Sequence, residues 1–141
     1  MFTLAKYNPE ELKNSILARC AEIDSAISLD VPDQDIDGLI GKLNKLSSLT
    51  GTMAACVADA KKVQRAKELE VLKGNIDKGY TPSTLNKFIE AECGEEESLF
   101  LFCDRLKSGL TATMNDLVTL ISLWKTELVE GNKEHRVYKK E

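Results

Sequence analysis

The sequence predicts an all-α protein, an elongated helical bundle. Three observations predict it. Apolar residues recur at steps of three and four over most of the chain, Asn or Thr followed by Pro marks two helix starts, and no segment alternates as a strand would. Two long helices, about 35–73 and about 95–130, are expected to lie antiparallel, with two shorter ones, about 8–29 and about 82–92, sharing their groove. Residues 1–130 then form one helical-bundle domain, and 131–141 a polar, flexible tail.

The last long helix carries the most regular signal. Leu99, Cys103, Leu106, Leu110, Thr113, Leu117, Leu120, Trp124 and Leu128 follow one another at steps of three or four, the seam of an amphipathic helix. Glu95, Glu96 and Glu97 suit its positive dipole end, and Gly131-Asn132 is expected to stop it. At the start of the chain, Asn8 reads as an N-cap with Pro9 in the first turn, and Leu12, Ile16, Cys20, Ile23 and Ile27 make one apolar face. Asp30, Pro32 and Asp33 break that helix.

The next seam runs through Ile36, Leu39 or Ile40, Leu43, Leu46, Met53, Val57 and Ala60, with polar Thr50 where an apolar residue is expected. Small residues crowd SSLTGTMAACVADA, which suits either a close helix crossing or a break near Thr50-Gly51-Thr52. Because the spacing keeps its phase across the glycine, one continuous helix to about Lys73 is expected. Gly74-Asn75 ends it. Thr81-Pro82 starts a short helix with Leu85, Phe88 and Ile89 inward, and Gly94 closes that.

Composition excludes several classes. The net charge of −4 gives no bulk attraction to nucleic acid or anionic membranes. No run reaches the roughly 20 apolar residues of a membrane span, and MFTLAKYNPEEL lacks the pattern of a secretory signal. A cytoplasmic protein is expected. The four cysteines, Cys20, Cys56, Cys93 and Cys103, lie far apart in sequence, and no Cys-x-x-Cys occurs. They read as small buried hydrophobes in a reducing compartment, ahead of a disulfide or metal framework.

Catalytic machinery is not legible. The single histidine, His135, sits in the polar tail, and no Glu-x-x-His pair, phosphate loop, nucleophile elbow or His-Glu-x-x-His occurs. No catalytic, cofactor-binding or metal residue is therefore assigned, and no cofactor is expected. Glu90, Glu92, Glu95, Glu96 and Glu97 read as helix-end carboxylates before they read as cation ligands.

Two surfaces remain. Phe100, Leu101 and Phe102 make one turn apolar nearly all round, so Leu99, Phe100, Phe102 and Cys103 are the candidate protein interface, buried in part and in part open to a second chain. Lys61, Lys62, Arg65 and Lys67, with the tail bases Lys133, Arg136, Lys139 and Lys140, are the candidate nucleic-acid contacts. A solvated helix face paired to neighbouring acids accounts for the same lysines, and stacking aromatics are missing among them.

The segments LNKLSSLTGTMAACVADAKKVQRAK and PSTLNKFIEAECGEEESLFLFCDRLKSGLTATMNDLVTLISLWKTEL resemble small all-helical proteins of bacteriophages and prophage-like elements. The resemblance rests on packing features and carries no functional residue. It implies only a setting: a phage accessory protein acting inside a bacterial cell by binding something. The expected function is a non-enzymatic, homo-oligomeric helical protein (a dimer or higher) that works through protein–protein contact. The alternative is an accessory nucleic-acid-binding protein for replication or recombination.

Overall fold

The computed structural model describes the backbone of residues 7–139 and the side chains of residues 7–130. The fold is all-helical, with no strand among the described residues. Helix α1 is Pro9–Ser28, α2 is Ile36–Ser48, α3 is Thr50–Asn75, α4 is Pro82–Glu92 and α5 is Gly94–Lys139, with a single 3-10 turn at Ile76–Lys78.

Local chemistry sets the starts. The Asn8 side chain accepts from the amides of Glu10 and Glu11 at 3.1 and 3.2 Å, with Pro9 in the first turn. Asp35 accepts from Gly38 at 3.0 Å, and Thr81 from Thr84 at 3.3 Å. Gly79, at φ 69°, closes the 3-10 turn in the left-handed region that a side chain disfavours.

The continuous helix expected over 35–73 is two helices. They part at Leu49, whose amide bonds back to Leu46 at 3.0 Å while its carbonyl accepts from Met53 at 2.9 Å. The Ser48 and Thr50 hydroxyls donate to the carbonyls of Lys45 and Ser47 at 2.6 and 2.8 Å, competing with the helical ladder where Gly51 already weakens it. The seam survives. Leu46, Leu49, Met53, Cys56, Ala60 and Val63 are all buried, whereas Thr50 faces solvent and Val57 is only half-buried, so Leu49 fills the expected gap and Cys56 takes the place expected of Val57. Gly51 meets no atom within 4 Å of an added Cβ, so it serves no close crossing.

The other departures are at helix ends. Backbone helix continues through Gly131-Asn132 to Lys139, where a stop was expected. Either residue costs only about 1 kcal/mol or less in a helix interior, and helix formers flank them. In α4, Leu85 and Ile89 are half-buried, but Phe88 faces outward and stacks on Tyr80, ring centroids 5.1 Å apart.

The core joins α1, α2, α3 and α5 through Ile16, Ile23, Leu39, Leu46, Met53 and Leu110. Cross-links fix their order along α5. Near its start, Phe100 lies under the Lys61 ammonium of α3, 4.8 Å from ring centroid to Nζ. Near residue 124, the Trp124 indole donates to the Asp33 carbonyl just before α2, at 2.7 Å. Arg19 of α1 reaches Asp59 of α3 at 2.8 Å, and Lys45 of α2 reaches Glu22 of α1 at 3.6 Å.

Candidate functional site

The expected interface turn divides once folded. Phe100 is half-buried against α3, and Cys103 is fully buried, so neither offers a free face; Cys103 leaves the set of contact residues for that reason. Phe102 is 47% exposed and Leu99 half-buried. Together with Leu17 of α1 they wall an apolar groove of about 380 Å3 between α1 and α5. Leu17 escaped the sequence reading because it falls off the α1 seam; an apolar residue beside Ile16 with no place on that seam was the available signal.

A second apolar feature lies further along α5. Leu117 and Ile121 are buried, Leu120 and Trp124 are packed against the core, and Leu128 continues the same register. Leu128 is nonetheless 55% exposed, as is its neighbour Val129 at 53%. Among the described residues the last cross-link to the rest of the bundle is at Trp124, so the described part of the seam outruns the helices that cover it. The α5 backbone runs on to Lys139, roughly 20 Å beyond Trp124 at the helical rise.

Three cysteines that are remote in sequence meet in the core. Cys20 of α1 and Cys103 of α5 stand with their sulfurs 3.7 Å apart, and Cys56 of α3 is buried in the same core cluster. Burial is the main cause that pushes the Cys20 and Cys56 thiols up to about 11, and it raises Cys103 and Cys93 as well. Thiols so disposed are packing groups and poor nucleophiles. All four are free, and among the described residues no three His, Cys, Asp or Glu side chains are so placed that they could hold a metal ion. Sequence separation hid the cluster; the seam positions of Cys20 and Cys103 were the clue, while Cys56 stands one residue before the expected seam residue Val57.

The basic candidates are not one patch. Lys61 is half-buried over Phe100, and Lys67 reaches Glu70 on its own helix at 3.9 Å. Lys62 and Arg65 are exposed, with the Lys62 ammonium 5.9 Å from the Tyr7 ring centroid. The side chains of Lys133, Arg136, Lys139 and Lys140 lie outside the described residues, as does that of His135.

One charged group is deeply placed. Glu96, in the first turn of α5, is 5% exposed and accepts from Lys13 of α1 at 3.0 Å. Lys13 also lies 3.6 Å from Glu95 and 3.7 Å from Glu10. Burial alone raises the Glu96 carboxyl, but the Lys13 hydrogen bond, the local backbone amide and the charges of Lys13 and Lys67 outweigh it and hold it below the ordinary value. The same hydrogen bond raises Lys13 against its own desolvation. Of the five expected helix-end carboxylates, Glu96 alone is buried, while Glu90, Glu92, Glu95 and Glu97 are exposed.

No family model, no curated protein and no solved structure matches this chain.

Proposed function

We propose that this protein is a non-enzymatic helical protein that acts through protein–protein contact and assembles with copies of itself. The observation that carries this reading is the α5 seam that continues, in register, past its cover to Leu128. Apolar residues in phase with a core, and exposed among the described residues, are better accommodated by a second helix than by water. The apolar groove at Leu17, Leu99 and Phe102 adds a second contact surface near the other end. In this reading α2 and α3 run antiparallel to α5 as one broken rod, and the overhanging part of α5 is shared between protomers. A phage accessory protein in a bacterial cytoplasm is the setting we propose, on the sequence resemblance alone. No described helix is long and apolar enough to cross a membrane, which accords with that setting.

Light scattering behind size exclusion across a dilution series tests the assembly. A dimer or larger is expected at micromolar concentration, and Leu128→Glu with Val129→Glu is expected to shift it to monomer without loss of helix content. A wild-type protein that is strictly monomeric at those concentrations removes the reading. Nucleic-acid contact through Lys61, Lys62, Arg65 and Lys67 draws less support, since only Lys62 and Arg65 are open to solvent. It predicts binding that weakens steeply between about 50 and 200 mM salt.

A further inference from the structure

The two apolar surfaces of α5 stand at its opposite ends, in surroundings of opposite charge. Leu17, Leu99 and Phe102 wall the groove between α1 and α5, and the carboxylates of Glu10 and Glu95, 76% and 80% exposed, stand on its rim. Lys13 is the one base lining this groove, and it gives its hydrogen bond to buried Glu96. Glu10 and Glu95, at 3.7 and 3.6 Å, share what remains of that single positive charge, so the rim is negative. The other end of α5 is the reverse. Leu128 and Val129 are exposed there, and the helix backbone continues to Lys139. Residues 131–141 carry Lys133, Arg136, Lys139 and Lys140 against Glu134 and Glu141, an excess of two positive charges. Arg136 follows Val129 by seven residues and Lys139 follows Leu128 by eleven, so basic positions share the helical register of the exposed apolar pair.

We propose that the groove receives the end of α5 from a second copy of this chain, with Leu128 and Val129 seated against Leu17, Leu99 and Phe102 and the basic stretch that follows set beside Glu10 and Glu95. This rests on the self-assembly proposed above and adds which surface meets which. The contact is heterologous, an α5 end in a groove. Pairing like with like sets two acidic rims together, or two basic stretches, and such juxtaposition selects against both. Opposite signs steer the two unlike ends towards each other. The occupant is not the chain's own α5 end, because Leu99 and Leu128 lie on one continuous helix, roughly 44 Å apart along it. A volume of about 380 Å3 takes the side chains of one helical turn rather than a folded domain. Each docked copy still offers one free groove or one free end, so the contact repeats until it closes, at the smallest as a pair that exchange ends reciprocally.

Complementation between two full-length variants is the test, read by light scattering behind size exclusion at micromolar concentration. One variant carries Leu17→Glu with Phe102→Glu in the groove, the other Leu128→Glu with Val129→Glu at the α5 end. All four residues are about half exposed, so helix content by circular dichroism is expected to be unchanged in both. Each variant alone is expected to be monomeric, since each lacks one half of the contact. Mixed one to one, they are expected to form a heterodimer, because the intact α5 end of the first fits the intact groove of the second. Its dissociation constant is expected to lie at least about tenfold below that of either variant with itself. Separately, Glu95→Lys is expected to weaken self-association about twofold to fivefold at low salt, an effect that fades as salt is added. A groove variant that still assembles alone assigns the contact to paired α5 ends, and an α5-end variant that still assembles alone assigns it to paired grooves. Either result, a mixture that stays monomeric, or unweakened association of Glu95→Lys overturns this inference while self-assembly stands. A monomeric wild type overturns both.

Discussion

The two ends of α5 solve burial in opposite ways. At the start, α1 and α3 close over the helix so completely that a carboxylate, Glu96, sits 5% exposed with its partner Lys13 drawn in beside it. Towards the other end, the last hydrogen bond to another element among the described residues is Trp124 to Asp33, and Leu128 stands 55% exposed in the register that buries Leu117. A polar group is inside and an apolar one outside, each against its own preference. What differs is the number of neighbouring helices, not the pattern on α5. Register decides which residues face the bundle, and coverage decides whether facing the bundle means being buried.

The largest effect expected from breaking this contrast is at the polar end. Lys13→Met strands a buried carboxylate and is expected to cost about 3–5 kcal/mol in urea unfolding at neutral pH. The pH dependence carries the sign. In the native protein the depressed Glu96 carboxyl contributes stability at neutral pH that is lost as pH falls through its folded value, below the ordinary carboxylate range. With Lys13 gone, burial raises the same carboxyl, so acidification stabilises the variant instead. Parallel acid limbs in the two proteins would show that the pair is not coupled.

Next come two truncations on one register. Leu117→Ala is expected to cost about 2–4 kcal/mol and Leu128→Ala no more than about 0.5 kcal/mol at concentrations where the protein is monomeric. Equal losses would mean that Leu128 is covered within the monomer. Trp124→Phe, which removes the donor to Asp33, is expected to cost about 1 kcal/mol and to change the near-ultraviolet circular dichroism. The smallest effect is a gain. Gly51→Ala meets no atom, so it is expected to raise stability by up to about 1 kcal/mol, read as a higher urea midpoint at unchanged slope.

Two helix starts were legible in the sequence because caps use atoms two or three residues away: Asn8 and Thr81 each hold an amide on their own turn, as Asp35 also does at the start of α2. Seams were legible for a similar reason, since helical spacing alone puts Ile16, Cys20 and Ile23 on one face. The break at Leu49 was harder to read. Its phase is continuous, and only the competition of the Ser48 and Thr50 hydroxyls for backbone carbonyls separates a tight turn from a regular one. Of the residues expected at the interface, Leu99 and Phe102 line the groove and Cys103 is buried, as the reading of the four cysteines had it, whereas Leu17 on the facing helix was not anticipated.

The sequence by itself determined the all-helical class, the caps and the faces, because all of these follow from interactions within about one turn or from the 3.6-residue period. Only the tertiary structure decided that three distant thiols share one core, that one glutamate of five is buried, and that, among the described residues, the α5 seam stands exposed beyond Trp124. Those outcomes depend on which helix stands beside which and how far each extends. No periodicity along one helix records the length of another.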